Sequence, residues 1–239
     1  MKTICIIPAR SGSKGLKNKN LRKLNNKPLI YWPIKIAKSI KEIDLVVLST
    51  DSKIMASYGR KFGAEVPFLR PKSISGDHAT TEEVLQYTLK KTEENKNKKF
   101  DICVFLTCTD IFRDPSWIRK GIRILKNNNE IESCFAANST TKNYWHKTRK
   151  GWKRILLSMK YYSNRQTKKQ IFREDTGLTC VTRSSLIRKG KRIGDKVELI
   201  INHNTETVID IHTEYDLFLA EQTIKYYKKK NINKLKLLK

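Results

Sequence analysis

The chain alternates between short apolar runs and segments in which apolar residues recur with the 3.6-residue period of a helix. The apolar runs have the length of buried strands and lie at 3–7, 45–48, 66–69, 102–106 and 133–137. Helical periodicity occupies 28–40 and 52–62, and two further helices are predicted to begin at the Thr80–Glu83 capping box and at Asp114-Pro115. This β-α-β-α order predicts an α/β fold with three layers, a mostly parallel, twisted sheet and helices on both faces.

The periodic pattern breaks down over 138–173, where the chain is basic and aromatic. We interpret 138–173 as an inserted arm on a single domain that spans 1–239; the alternative is a long surface excursion folded back on the same core. Ligands of open α/β sheets bind at the carboxyl ends of the strands, so the functional site is expected in the loops that follow the parallel strands. Strand-like runs return at 177–182, 197–201 and 207–211, and a closing helix is predicted to begin near Thr213.

The formal net charge is +27, from 50 basic and 23 acidic residues. Such an excess attracts polyanions, which include nucleic acids, anionic membranes and phosphorylated small molecules. A bias toward solvated lysines would give the same number, and composition leaves both explanations open. No segment resembles a known nucleic-acid reader, and no apolar run approaches the roughly 20 residues of a membrane helix. We therefore expect no membrane partner and do not favour a nucleic acid.

The chain has five cysteines, an odd number without a CxxC pair. Four of them lie in apolar, strand-like runs: Cys5, Cys103, Cys134 and Cys180. This pattern indicates buried free thiols in a reducing compartment rather than disulfides or a zinc site. The sequence opens directly on a strand-like run, without the pattern of a secretory signal. The expected location is the cytoplasm.

The strongest chemical signal follows the first predicted strand, where the sequence reads PARSGSKG from Pro8 to Gly15. The two glycines of this string permit tight turns, so backbone N–H groups can converge on phosphate oxygens, and Arg10 and Lys14 add positive charge. The spacing is neither that of a Walker A loop nor that of GxGxxG. Alone, the string indicates a phosphate-binding loop or an ordinary basic loop.

Together with later blocks, this string resembles the signature of the CMP-acylneuraminate synthetase family, the acylneuraminate and nonulosonate cytidylyltransferases. The blocks keep a consistent order over nearly the whole chain: PARSGSKG, Lys19-Asn20, KPL at 27–29, STD at 49–51, Arg70-Pro71, DHATT at 77–81, Arg165-Gln166 and IDIHTE at 209–214. For the predicted α/β sheet, the resemblance implies the form found in nucleotide-diphospho-sugar transferases.

The resemblance implies an enzyme that transfers CMP from CTP to the anomeric hydroxyl of a nine-carbon acidic sugar, of sialic, legionaminic or pseudaminic type, and releases pyrophosphate. No covalent enzyme intermediate is needed, because positioning and charge stabilisation promote such a transfer. The implied nucleotide-binding residues are Arg10, Ser13, Lys14, Lys19, Asn20, Arg70, Thr80 and Thr81. The implied catalytic residues are Arg10, Lys14 and Asp210. The implied sugar-binding residues are Thr109, Arg165 and Gln166.

The same resemblance implies Mg²⁺, or Mn²⁺ in its place, held by two aspartates that flank one apolar residue. This chain has Asp210-Ile211-His212 instead. Residues two apart on a strand share a face, so Asp210 and His212 are both candidate metal ligands. Imidazole suits softer metals better than Mg²⁺, so several interpretations stay open. His212 binds a softer ion, or it acts as a base toward the sugar hydroxyl, or Asp210 holds Mg²⁺ with water and phosphates, or the segment is only a strand end that caps the last helix.

A second departure lies at 107–113, which reads TCTDIFR where the family commonly has QPTSPLR. Thr109 and Arg113 remain, and the change puts in question the identity of the sugar more than the reaction. One alternative is a cytidylyltransferase for an eight-carbon 3-deoxy sugar acid. Another is a CTP-binding or nucleic-acid-binding protein with weak or no turnover. The resemblance also implies a homodimer formed through the 138–173 arm.

Overall fold

A computed structural model of the protein describes residues 1–160, 164 and 168–230. Its strands are β1 (Thr3–Pro8), β2 (Lys23–Leu24), β3 (Lys27–Pro28), β4 (Leu45–Ser49), β5 (Ile102–Phe105), β6 (Ser133–Thr140), β7 (Trp145–Thr148), β8 (Gly151–Arg154), β9 (Ile171–Glu174), β10 (Cys180–Arg183) and β11 (Val197–Asn202). Its helices are α1 (Tyr31–Lys38), α2 (Lys53–Lys61), α3 (Thr81–Lys96), α4 (Pro115–Asn127), α5 (Ser184–Arg188) and α6 (Glu214–Lys229). Among these described helices, none has the length and apolar character needed to cross a bilayer.

In the described residues, seven strands form one sheet in the order β11-β6-β10-β5-β1-β4, with β9 also paired to β6. β1 pairs in parallel with β4 and β5, and β6 pairs in parallel with β11. β9 and β10 run antiparallel to their neighbours. The mostly parallel sheet predicted from the sequence is confirmed, and the carboxyl ends of β1, β4 and β5 lie at the same end of the sheet.

Alternate residues of β1 pack on opposite faces of the sheet, as expected for a strand covered on both sides. Cys5 and Ile7 belong to a buried cluster with side chains of α1, α2, α4 and α6. Ile4 and Ile6 belong to a second cluster with side chains of α3 and α5. These two clusters give the three predicted layers. All five cysteines are buried and unpaired, as predicted, and burial raises the pKa of Cys5 to about 12.

Two segments predicted as strands are described by the structure but form none. At 66–69 the chain is interrupted by Pro67, which has no N–H to donate to a ladder, and only the preceding Glu65 forms an isolated bridge, with Val47. At 207–211 the chain completes a 3₁₀ turn over Thr205–Val208 and is extended at Ile209. Extended backbone without a partner strand therefore leads into α6.

The predicted arm leaves and rejoins the sheet at neighbouring positions. β6 and β9 pair antiparallel with Asn138 opposite Arg173, so the two predicted boundaries meet in one ladder. Between them, β7 and β8 form a hairpin that is separate from the main sheet. Trp152 in β8 is 66% exposed, and Leu157 after it is 92% exposed. Large apolar side chains of this arm therefore face solvent in the single chain.

Candidate functional site

Two adjoining cavities lie at the carboxyl ends of β1 and β5. The first has a volume of about 490 Å³ and is bounded by the loop after β1, the start of α3 and the loop after β5. The second has a volume of about 480 Å³ and lies between the loop after β5, the turn from β9 to β10 and the chain before α6. The residues common to both are Thr81, Phe105, Thr107, Thr109 and His212. A molecule in one cavity can therefore contact a molecule in the other.

The structure brings the predicted site residues together from distant parts of the chain. Every residue predicted to bind the nucleotide lines the first cavity: Arg10, Ser13, Lys14, Lys19, Asn20, Arg70, Thr80 and Thr81. Thr109 lies on the wall shared by the two cavities, and Asp210 and His212 line the second. Arg165 and Gln166, the other predicted sugar-binding residues, lie outside the described residues.

The loop after β1 is fixed by contacts to other segments. The Asp51 carboxylate accepts hydrogen bonds from the backbone N–H and the hydroxyl of Ser11, at 2.9 and 2.6 Å. The Asn20 amide donates to the carbonyl oxygen of Arg10 at 3.0 Å. At Gly15 the loop packs against the chain before α6, where a Cβ would lie 2.7 Å from a backbone carbonyl oxygen. A larger residue at this position would clash with that carbonyl oxygen and push the loop away from the chain before α6.

Asp77 lies between two cations of this loop, Arg10 and Lys14. Its Oδ1 is 2.8 Å from Arg10 Nη1, and its Oδ2 is 2.7 Å from Lys14 Nζ. Hydrogen bonds from Lys14 and then from Arg10 lower the pKa of the Asp77 carboxyl. Sequence reasoning missed this contact, because no local pattern indicates that Asp77 reaches a loop more than sixty residues away. The carboxylate marks a position suited to a phosphate group, since both are anions that accept hydrogen bonds.

Arg70 and Thr80 approach the first cavity from another wall. Arg70 is buried, donates from Nε to Ser75 Oγ at 3.1 Å, and has its pKa lowered by that burial. Thr80 begins α3 with the predicted capping box: its hydroxyl accepts from the Glu83 N–H at 3.2 Å, and the Glu83 carboxylate accepts from the Thr80 N–H at 2.8 Å. The positive end of the α3 dipole therefore borders the cavity, where it favours an anion.

A chain of three polar side chains links the two cavities. His212 Nδ1 is 3.2 Å from Lys19 Nζ, and His212 Nε2 is 2.7 Å from Asp210 Oδ2. A lysine ammonium has only donors, so Nδ1 is the acceptor and the proton on Nε2 is donated to Asp210. Burial lowers the pKa of Lys19, and the nearby Asp210 opposes that effect. Although 207–211 is not a strand, the side chains of Asp210 and His212 are in contact, and their role as metal ligands stays a prediction.

Arg113 supports the wall between the cavities from beneath. Its Nη2 donates to the carbonyl oxygens of Thr107 and Gly177, at 2.7 and 2.9 Å. The side chain is buried, and this burial lowers the pKa of its guanidinium to about 10. The loop after β5 is thereby joined to the turn before β10, and both loops line the second cavity.

A known protein family matches nearly the whole length of this chain. The family model described as "Cytidylyltransferase" matches residues 4–238. The chain belongs to the cytidylyltransferase family. The resemblance to the CMP-acylneuraminate synthetases drawn from the sequence is thereby confirmed, since named relatives include pseudaminic acid, legionaminic acid and N-acylneuraminate enzymes.

Three relatives of this cytidylyltransferase differ in sequence identity and in how much of their length aligns with it. It is 28% identical over 223 residues to the post-translational flagellin modification protein B of Campylobacter coli, covering 93% of this chain and 94% of that protein. It is 36% identical over 116 residues to a pseudaminic acid cytidylyltransferase of Campylobacter jejuni, covering 48% and 50%. It is 33% identical over 123 residues to an N-acylneuraminate cytidylyltransferase of Escherichia coli, covering 52% and 28%. Except for the first, these alignments span half or less of the relative.

Solved structures of low sequence identity share the fold. A CMP:2-keto-3-deoxy-manno-octonic acid synthetase complexed with CTP superposes with a TM-score of 0.70 at 13% identity, covering 95% of this chain and 99% of that one. A 4-diphosphocytidyl-2C-methyl-D-erythritol synthase from Anaerococcus prevotii superposes with a TM-score of 0.65 at 12% identity, covering 94% and 99%. At these identities the similarity establishes the fold and leaves the substrate open.

The cytidylyltransferase presents one carboxylate and one imidazole where the resemblance implies a divalent ion. Among the described residues, no group of three or more His, Cys, Asp or Glu side chains is placed to hold a metal by itself. Mg²⁺ is commonly held by one or two carboxylates, with substrate phosphates and waters as its other ligands. Asp210, with 45% of its side chain exposed, fits that arrangement. Both ring nitrogens of His212 are engaged, by Lys19 and Asp210.

Proposed function

We propose that this cytidylyltransferase transfers CMP from CTP to the anomeric hydroxyl of a nine-carbon acidic sugar of sialic, legionaminic or pseudaminic type. The observation that carries the proposal is the pair of adjoining cavities, of which the first is lined by the cations of the loop after β1. The names of the relatives support a nonulosonic acid as substrate. Pyrophosphate release from CTP, measured with a panel of eight- and nine-carbon sugar acids, tests it.

In this account the first cavity binds the triphosphate. Arg10 and Lys14 provide the positive charge, Ser13 and the turns of the loop provide donors, and the N-terminus of α3 adds its dipole. The sugar acid occupies the second cavity, so its anomeric hydroxyl lies at the shared wall near Thr109. In-line attack on the α-phosphate then releases pyrophosphate, and the cations stabilise the charge that develops on the phosphate oxygens.

Asp210 is the residue that would hold the divalent ion, with phosphates and water as further ligands. When bound, Mg²⁺ or Mn²⁺ supplies charge neutralisation of the phosphates and polarises coordinated oxygens. His212 donates from Nε2 to Asp210 Oδ2 and so would orient the carboxylate that holds the ion. Of the interpretations that the sequence leaves open, we favour this one because the other nitrogen of His212 already accepts from Lys19.

Three other functions make different predictions. A cytidylyltransferase for an eight-carbon acid would release pyrophosphate with that acid alone. A CTP-binding protein without turnover would be stabilised by CTP but would release none. A nucleic-acid-binding protein would bind nucleic acid with an affinity that falls steeply with salt. The buried, unpaired cysteines are consistent with the predicted cytoplasmic location, which stays a prediction.

We expect the replacement of Asp77 with asparagine to tighten CTP binding several-fold in the absence of metal. Asp77 competes with the triphosphate for Arg10 and Lys14, and solvent-exposed ion pairs of this kind contribute little to stability, so their loss should leave the loop in place. Isothermal titration calorimetry with CTP and EDTA measures the change. Glu65→Gln is the matched control, because it removes an exposed carboxylate paired with Lys96 away from the cavity. Weaker CTP binding by D77N would contradict the competition.

We also propose that the arm forms a homodimer, as the family resemblance implies. Its exposed side chains include Trp152, Ile155 and Leu157, and several large apolar side chains exposed in one short segment are typical of an interface. The double replacement of Trp152 and Leu157 with glutamate is expected to halve the mass measured by light scattering. Ile54→Glu, on an exposed position of α2, should leave it unchanged. A wild-type protein of monomeric mass would refute the proposal.

A further inference from the structure

The carboxylate of Asp110 is held rigidly on the loop after β5, where it lines the second cavity. Its Oδ2 accepts a hydrogen bond from the Thr107 hydroxyl at 2.6 Å, and its backbone N–H donates to the same hydroxyl at 3.2 Å. Gly177 packs directly on this carboxyl, because a Cβ at that position would overlap Oδ2. Two loops therefore fix the Asp110 side chain in one place.

Among the described residues, no lysine, arginine or histidine forms an ion pair with Asp110. The hydrogen bonds of the nearby Arg173 and Arg113 go to other acceptors, and Nε and Nη1 of Arg113 have no hydrogen-bond partner among the described residues. Arg173 donates from Nε and Nη2 to the carboxylate of Asp175, at 2.7 and 3.2 Å. Arg113 donates to the carbonyl oxygens of Thr107 and Gly177. Within the described part of the chain, Asp110 is thus a largely buried carboxylate without a cation at contact distance.

A second acid faces Asp110 in the same cavity. Burial raises the pKa of the Asp110 carboxyl, and the charge of Asp210 raises it further. A carboxylate has only acceptors, and a buried one is costly unless hydrogen bonds to it are made. The carboxyl oxygen that Thr107 leaves free therefore requires donors from whatever fills the cavity. It would repel the carboxylate of an acidic sugar, so that group must lie elsewhere.

We propose that Asp110 determines sugar specificity by accepting a hydrogen bond from a neutral O–H or N–H group of the sugar acid. The inference rests on the proposed function, which places the sugar in this cavity. It assigns Asp110 to a ring substituent or side-chain group of the sugar and not to the reacting centre. The residue also lies in the 107–113 segment that departs from the family pattern, where the sequence alone leaves the choice of sugar open.

The test is the affinity of the Asp110→Asn variant for the sugar. Sialic, legionaminic and pseudaminic acids are each titrated calorimetrically into protein saturated with CTP in the presence of EDTA, so no turnover is needed. The asparagine oxygen can still accept from Thr107, while its NH₂ group replaces the free acceptor. We expect the Kd of the bound acid to rise about tenfold to a hundredfold, as for the loss of a charge-assisted hydrogen bond, with the Kd for CTP unchanged.

Asp114→Asn is the matched control. Asp114 caps α4 from an exposed position on the same loop, and its replacement removes the same negative charge. Asp110→Ser, which keeps a small polar group beside Thr107, serves if the asparagine variant does not fold. A sialic acid analogue with hydrogen in place of the acylamino group distinguishes that N–H from an O–H elsewhere on the sugar, because it has no donor at that position. A smaller loss with the analogue indicates the N–H, and an equal loss indicates an O–H.

Equal sugar affinity in wild-type protein and D110N, an equal loss of CTP affinity, or no binding of any acid to the wild type would overturn the inference. Pyrophosphate release is measured separately on the wild type. Turnover with an unchanged D110N affinity would refute the role of Asp110 and keep the proposed function. If D110N weakens sugar binding but the wild type shows no turnover, the role of Asp110 is supported and the proposed function is refuted.

Discussion

Lys14→Ala is expected to lower kcat/KM for CTP by about a hundredfold to a thousandfold, the usual cost of removing one preorganised group that stabilises developing charge. The Lys14 ammonium lies on the wall of the first cavity and, without nucleotide, contacts the Asp77 carboxylate at 2.7 Å. In the proposed complex a phosphate takes the place of that carboxylate. Because charge grows on the phosphate oxygens during transfer, the loss should appear in kcat as well as in KM.

The control for Lys14 is Lys17→Ala in the same loop. Lys17 is exposed and does not line the cavity, so this variant removes the same charge while leaving the phosphate position intact. Steady-state pyrophosphate release at varied CTP measures both. If both variants lose a similar, small amount of activity, the effect is one of overall charge, and the assignment of Lys14 to the triphosphate is wrong.

Asp210→Asn is expected to lower kcat by about a thousandfold, because a metal ion contributes several kcal/mol of charge stabilisation and each 1.4 kcal/mol is tenfold in rate. The asparagine oxygen can still accept from His212 Nε2, so the local structure should survive. Binding of CTP without metal should change little, since Asp210 lines the second cavity rather than the first. Calorimetry with EDTA and then with Mg²⁺ separates the two contributions.

Glu214→Gln serves as the control for Asp210. Glu214 lies four residues further along, is paired with Arg22 at 2.7 Å and is largely exposed. The variant therefore removes a carboxylate that lies outside both cavities. Full activity in this variant and near-complete loss in D210N would support the metal assignment. Near-normal turnover by D210N with Mg²⁺ would show that the ion is held by other groups.

Local patterns predicted the parts of this molecule that depend on local interactions. The capping box at Thr80 and Glu83 and the helix start at Asp114 need only residues within three or four positions, and the structure confirms both. The parallel sheet follows from the alternation of strand-length and helix-length segments. The strand expected at 66–69 does not form, because Pro67, which interrupts the apolar run, lacks the N–H that a ladder requires.

The contacts that complete the site are long-range, and sequence patterns carry little information about them. Asp77 reaches Arg10 across 67 positions, and Gly177 makes room for Asp110 from the other side of the second cavity. Family blocks identified the residues that line the first cavity, yet the partner of each cation depends on how loops pack. Asp110, Arg173 and Asp175 were missed for the same reason, since only folding brings the loop after β5 and the turn before β10 to one cavity.

The most direct test is pyrophosphate release from CTP by the purified wild-type protein, with Mg²⁺ or Mn²⁺ and each of the sialic, legionaminic, pseudaminic and eight-carbon 3-deoxy acids. The account predicts release with at least one nine-carbon acid and formation of the corresponding CMP-sugar. Release with the eight-carbon acid alone, or none with any acid from protein that is folded and stabilised by CTP, would contradict it.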